Sequence, residues 1–349
     1  MYKLDKLFRT ASRYNASDLY FSTGTRPVLR INGELIIIKE HEVVSAEMAQ
    51  EFLLELLNPE QQKDFAINKE IDLSINVKDI ARFRVNIYTQ RRGISGSFRL
   101  IPETVPTMDE LAVPQQLKKL TNKRDGLIIV TGPTGSGKSS TLASLADEIN
   151  STQKKHIITI EDPIEFVYEN KQSIIEQREV GTHTNSFKSA LRASLREDPD
   201  VILIGEMRDL ETIQLAITAA ETGHLVLGTL HTSGAAKAVD RMIDVFPPEQ
   251  QNQVRMQLAE SLQAIIWQAL LQTRDKRGRI GAFEILLNNT GVANMIRKEK
   301  THQISSAIEI GMKEGMQSMH KALQDLLAAG VITQDEANLH IPKDYENGE

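Results

Sequence analysis

From Gly126 onward the chain alternates short apolar runs with amphipathic stretches: "LIIV" at 127–130, "HIITI" at 156–160, "DVILIG" at 200–205 and "HLVLGTL" at 224–230. Near-continuous apolar strands separated by helices predict a mostly parallel sheet covered on both faces. The first hundred residues follow a different pattern. "LDKLFRTASRYN" carries helical spacing at Leu4, Leu7 and Phe8, whereas "DLYFS", "PVLRINGELIII", "DLSINV" and "ARFRVNIYTQ" read as short strands with a hairpin turn at Asn32-Gly33. "SAEMAQEFLLELL" predicts a helix capped by Ser45, with Met48 rather than an acid at the third position after the cap. Between Ile101 and Pro114 three prolines in "IPETVPTMDELAVP" break both periods and predict a linker. After Gly291 comes a helical tail that includes "AIEIGMKEGMQSMHKALQDLLAAG", ends at a glycine and carries a Met-rich face expected to pack into a core. The last ten residues, "HIPKDYENGE", are expected to be loose.

These patterns divide the 349 residues into a small α+β domain over 1–100, a linker over 101–114, an α/β domain over 115–290 and a C-terminal helical region over 291–349. Composition adds exclusions. A formal net charge of -6 argues against a dedicated nucleic-acid binder, so no nucleic acid is expected as a partner. The absence of cysteine removes disulfides, thiolate nucleophiles and cysteine-ligated metal. The apolar runs are far shorter than the ~20 residues of a membrane helix, and "MYKLDKLFRT" lacks a signal-peptide core, so the chain reads as cytoplasmic.

"TGPTGSGKSS" at Thr131 to Ser140 is the main chemical motif. Gly132, Gly137, Lys138 and Ser139 complete G-x-x-x-x-G-K-[ST], between an apolar strand and the helical "STLASLADEIN". Glycines let the backbone aim amides at a phosphate, a task that falls to Gly132, Pro133, Thr134, Gly135, Ser136 and Gly137 together with Lys138, Ser139 and Ser140 at the helix start. ATP is the expected nucleotide and Mg²⁺ the expected metal, with Lys138 reaching the phosphate oxygens and Ser139 on the metal. "NKRD" at 122–125 resembles a guanine-reading tetrapeptide but precedes the cradle strand, the wrong end for a base-reading loop.

Hydrolysis also needs acids. Glu206 closes "VILIGE" at a strand end, the place for a second magnesium-site ligand. "TIEDPIEF" supplies Glu161, Asp162 and Glu165, one of which is needed to orient the attacking water; spacing does not choose among them. His224 and His231, seven residues apart, fall at opposite ends of a strand about 20 Å long, which excludes a shared metal and leaves His231 at the phosphate end. Arg82 and Arg84 share a strand face in the small domain, and Arg99 lies on the next strand; three such cations suit γ-phosphate clamps.

Together "TGPTGSGKS", "TIEDPIEF", "LRASLREDPDVILIGEMRDLETIQLAITAAETGHLVLGTLHT" and "NASDLYFSTGTRPVLRINGEL" closely resemble the secretion ATPases of the type II and type IV pilus systems, and within them the pilus retraction ATPases. The resemblance covers nearly the whole chain. It implies a PAS-like N-terminal domain joined to a RecA-like P-loop ATPase domain, six chains in a ring, and a cytoplasmic motor that acts on an inner-membrane platform protein of the pilus, at times beside a paralogous ATPase. It implies Glu165 as the catalytic glutamate, Glu206 as the Walker B acid, His224 and His231 as the His-box pair, and Arg84, Arg99 and Arg82 as arginines directed at nucleotide. The extension members of the family carry a longer N-terminal region and a four-cysteine metal site, which favours retraction here. One departure points the other way: retraction enzymes carry "AIRNLIRE", and this chain reads "GVANMIRKEK" at 291–300, keeping Ile296 and Arg297 but with Ala293 in place of the first arginine. The accessory paralogue, or another type II/IV secretion-system ATPase, is the alternative that this leaves.

Overall fold

The computed structural model describes residues 2–31, 33–101 and 104–341. Two compact units emerge, one of residues 1–104 with 163–167 and the other of 105–162 with 168–349.

In the first unit α1 (Asp5–Arg13) is followed by strands β1 (Asp18–Ser22), β2 (Val28–Ile31) and β3 (Glu34–Ile37), helices α2 (Ala46–Leu54) and α3 (Pro59–Asn68), and strands β4 (Glu70–Val77), β5 (Ala81–Gln90) and β6 (Gly93–Ile101). The strands form one antiparallel sheet in the order β3-β2-β1-β6-β5-β4. Leu4, Leu7, Phe8 and Ala11 place one apolar stripe of α1 on this sheet, where Phe8 meets Phe83 and Phe98 at centroid distances of 4.6 and 5.2 Å. Burying each ring contributes roughly 2–3 kcal/mol. The Ser45 hydroxyl caps α2 by accepting from the Met48 amide. Asn32 lies outside the described residues, as do residues 342–349 of the expected loose tail. β2 and β3 pair on either side of that turn, and Gly33 has φ 88°.

The second unit begins with α4 (Gln115–Lys118) and then runs β7 (Gly126–Thr131), α5 (Lys138–Thr152), β8 (His156–Glu161), β9 (Ile174–Glu179), α6 (Phe187–Ser194), β10 (Val201–Ile204), α7 (Leu210–Glu221) and β11 (Leu225–Leu230). It continues through α8 (Ala235–Asp244), α9 (Pro248–Ser261), β12 (Leu262–Gln272), β13 (Arg279–Leu287), α10 (Thr290–Arg297), α11 (Ile304–Ile310), α12 (Met319–Ala328) and α13 (Gln334–His340). Its sheet has the order β13-β12-β7-β11-β10-β8-β9, parallel throughout except for the β12–β13 pair. Every residue of β7, β10 and β11 is buried, as strands covered on both faces require. The result is a mixed α/β unit built on a parallel sheet.

The tail differs from a single helical run. Gly311–Glu314 tightens into a 3-10 turn, Gly315 takes φ 99°, and Gln317 bridges to Ile285 before α12 begins. A Cβ on Gly311 would stand 2.5 Å from the Met316 sulfur, so the glycine permits the close turn. Val292, Ile296, Ile304, Ile308 and Met316 join the same core as Leu127, Ile158 and Val226 of the sheet, while Met319 packs with Trp267. The helices after Gly291 thus share the core of the second unit.

Candidate nucleotide-binding site

β7 ends at Thr131 and releases the loop 132–137, which enters α5 at Lys138. Gly132, Gly135 and Gly137 have φ of 149°, 80° and 85°, conformations that side chains with a Cβ rarely adopt. The reason at Gly132 is also spatial: a Cβ there would lie 2.3 Å from the carbonyl oxygen of Gln268 on β12. Lys138 is buried, and its ammonium donates to the carbonyls of Gly132 and Pro133, both at 3.0 Å. The Ser136 hydroxyl is buried without a hydrogen-bond partner among the described residues. These features make a positively charged cradle at a helix N-terminus, the geometry that binds a phosphate chain.

The neighbouring strands bring acids to the same sheet edge. β11 lies beside β7 and β10 beside β11, all parallel, so Thr131 at the end of β7, His231 just after β11 and Glu206 just after β10 share the carboxyl edge of three neighbouring strands. His231 Nε2 is 3.0 Å from Glu206 Oε1, and Arg208 engages both Glu206 oxygens. Burial pushes the Glu206 carboxyl up, but the hydrogen bond from Arg208 and the charges of His231 and Arg208 outweigh it and hold the group below the usual carboxylate range. The backbone on either side of Glu206 is fixed: the Gly205 amide donates to the Ile160 carbonyl at 2.8 Å and the Met207 amide to the Thr229 carbonyl at 3.0 Å. Hard oxygen donors from Ser139 and Glu206, with the buried Ser136 hydroxyl, unpartnered among the described residues, in the cradle between strand and helix, suit a magnesium nucleotide.

Of the acids that spacing left tied, Glu161 is buried at the end of β8 and accepts from the Thr159 hydroxyl at 2.7 Å and from the Gln177 amide at 3.3 Å. The hydrogen bond that Arg208 donates to Glu206 does most to raise its guanidinium, and the charge of Asp162 adds to it. Glu165 falls in the segment 163–167 that groups with the first unit. His224 is not brought to the cradle. It precedes β11 at the opposite sheet edge, where its Nδ1 lies 3.0 Å from the Ala219 carbonyl at the end of α7. The "NKRD" stretch likewise sits at the amino end of β7, away from the cradle.

In the first unit Arg84 and Arg99 are direct cross-strand partners, and Arg82 lies two residues from Arg84 on the same face of β5. Arg99 Nε donates to Asp18 at 3.0 Å, and the buried Asp18 is also the register partner of Arg30. Among the described residues Arg84 forms no ion pair. Sequence reasoning missed Gln268, whose side chain accepts from Thr141 across a separation of 127 residues. No local signal points to it, since a glutamine within an apolar strand has many explanations.

A glycine-rich cradle, a buried lysine and a strand-end acid on a parallel sheet define a P-loop nucleotide-binding protein of the RecA-like class. The family described as Type II/IV secretion system protein matches residues 2–339, and the chain belongs to it. The Pseudomonas aeruginosa protein named "Type IV pilus retractation ATPase PilT" is 46% identical over 348 residues, covering 98% of this chain and 99% of its own length. The same organism's "Type IV pilus ATPase PilU" is 40% identical and covers 97% of this chain and 88% of its own. A solved structure, "Crystal Structure of the Pilus Retraction Motor PilT and Bound ADP", superposes with a TM-score of 0.91 at 42% identity, covering 99% of this chain and 98% of that one. Among the described residues no helix is long and apolar enough to cross a membrane.

Proposed function

We propose that the chain is a Mg²⁺-dependent ATP hydrolase that works as a homo-hexamer and powers retraction of type IV pili, and with it twitching motility. The observation that carries this reading is the convergence of the Lys138 cradle, His231 and Glu206 on one sheet edge within a chain of the retraction ATPases' family. Lys138 and the loop amides hold the phosphates, and Ser139 and Glu206 would hold the metal. Bound there, Mg²⁺ neutralises charge on the phosphate oxygens. Glu165 orients the attacking water, His231 steadies Glu206, and Arg84, Arg99 and Arg82 are the cations that make turnover sensitive to the small domain. Work is delivered to an inner-membrane platform protein from the cytoplasmic side.

Glu165→Gln is expected to bind ATP with near-normal affinity while phosphate release falls at least about 10²-fold. Loss of binding and turnover together would show that Glu165 has a structural or metal role instead. In cells, deletion of the gene is expected to leave surface pili that accumulate without retracting; loss of pili, or no effect on them, would refute the retraction assignment.

A second reading, the accessory paralogue, is favoured by one feature. Ala293 stands where the retraction signature has its first arginine, and it is buried in the core of the second unit. The greater identity to the retraction ATPase than to its paralogue in the same organism supports the first reading. A gene deletion that abolishes retraction only when pili are under load would support the second.

A further inference from the structure

We infer that Gln268 is a positioning residue for the phosphate cradle, setting the shape of a loop that it does not belong to. The inference rests on the reading of that cradle as a nucleotide site. Gln268 sits on β12 one residue beyond Trp267, whose register partner on β7 is Thr131, the last residue before the loop. It therefore stands where the cradle leaves the sheet, and it is buried.

Two points of the loop and one of the helix after it meet this one residue. Its backbone carbonyl lies under Gly132, leaving no room for a Cβ. Its side-chain Nε2 lies 2.9 Å from the position a Cβ would take on Gly137, the residue that caps α5. Its Oε1 accepts from the Thr141 hydroxyl at 2.7 Å, and Thr141 is buried in the first turn of α5. The Thr141 bond fixes which way the carboxamide faces. With Oε1 committed to the hydroxyl, the NH₂ group is directed to Gly137.

The two ends of the loop are thereby set against a common support. Within the loop, Lys138 bonds the carbonyls of Gly132 and Pro133, and the Ser136 amide donates to the Pro133 carbonyl at 3.2 Å. Those bonds define the local curve; Gln268 packs against both of its ends from β12 and is hydrogen-bonded to the helix that follows it. Binding of a phosphate chain by several backbone amides requires them all to be placed within about 0.5 Å. A residue packed against both ends thus acts on affinity through the amides, without touching the nucleotide.

The test uses the full chain and steady-state hydrolysis of Mg²⁺-ATP, with melting temperature measured alongside. Gln268→Leu keeps the volume and removes the acceptor; Thr141→Val removes the donor from the other side. Each is expected to raise KM for ATP about tenfold, the effect of one lost buried hydrogen bond, with kcat changed much less. The double variant is expected to match either single one, because both remove the same bond. Thr141→Ser, which keeps the hydroxyl, is expected to recover most of the wild-type KM. Wild-type KM in folded Gln268→Leu and Thr141→Val, or a double variant whose effects multiply, overturns the role of Gln268 while leaving the nucleotide reading intact. If Gln268→Leu does not fold, the contrast between Thr141→Val and Thr141→Ser decides from the helix side. A wild-type chain that neither binds nor hydrolyses ATP removes the nucleotide reading, and the role of Gln268 with it.

Discussion

Arg208 holds Glu206 by both carboxylate oxygens: its Nε is 2.5 Å from Oε1 and its Nη2 2.6 Å from Oε2. A guanidinium fork is the strongest geometry available to a carboxylate short of a metal. The side chain proposed to share in holding Mg²⁺ is thus already matched by a cation. Arg208→Ala is expected to lower the Mg²⁺ concentration for half-maximal ATP turnover by about two- to fivefold, the scale of an exposed ion pair. Glu206→Gln is expected to reduce turnover at least about 10²-fold. A magnesium titration of the three proteins checks both; an unchanged midpoint in Arg208→Ala would show that the pair does not compete with the metal.

Acid stability follows from two carboxyls held below their ordinary range. Burial pushes Asp200 up, but the Lys155 ammonium at 2.8 Å and the His156 amide at 2.9 Å outweigh it; Glu206 behaves likewise beside Arg208 and His231. A depressed folded-state pKa contributes stability that is fully present above the unfolded value, about pH 4, and is lost as pH falls through the folded one. Melting temperature is therefore expected to fall below about pH 4. Asp200→Asn is expected to melt lower than wild type at pH 7, with the gap closing as the pH drops. A constant gap down to pH 3 would contradict this origin.

Gly132→Ala combines a clash with the Gln268 carbonyl and a backbone angle hostile to a Cβ. Strain of this kind costs about 1–3 kcal/mol. ATP affinity is expected to fall at least about tenfold, with a lower denaturation midpoint. Gly135 meets nothing within 4 Å, so Gly135→Ala at φ 80° is expected to cost only its backbone strain. Calorimetric titration with ATP separates the two.

Trp267 is the single tryptophan of the chain, and its indole nitrogen is buried without a hydrogen-bond partner among the described residues. It pairs in register with Thr131, at the root of the cradle. Nucleotide binding is expected to change its emission. Binding seen by calorimetry with silent fluorescence would show that β12 does not respond to an occupied cradle.

The parts legible in the sequence were those whose cause is local. The cradle, the strands 127–130, 156–160, 200–205 and 224–230, and the Ser45 cap each depend on neighbours a few residues away. β12 and β13 were not anticipated, because "LQAIIWQALLQ" is apolar on both faces and fits a buried helix as well as a strand. β9, "IIEQRE", is an edge strand with a polar face and too short to show its period. The break at Gly311 and Gly315 depends on the contact with Met316 and the bridge to Ile285, which only tertiary packing sets. Glu206 was placed by its strand; its pairing with His231 needed β10 and β11 side by side.

α9 ends at Ser261 and β12 begins at Leu262, with no residue between them. The ladder to β7 already takes up one extra residue between Leu262 and Ala264. A strand alternates faces at every residue, so one insertion beyond that point would exchange Trp267 with Gln268 and turn an indole toward the loop beneath the phosphates. The segment from α9 to the middle of β12 is therefore a ruler of fixed length. A gain or loss of a single codon there would put an indole where the cradle now meets a carboxamide.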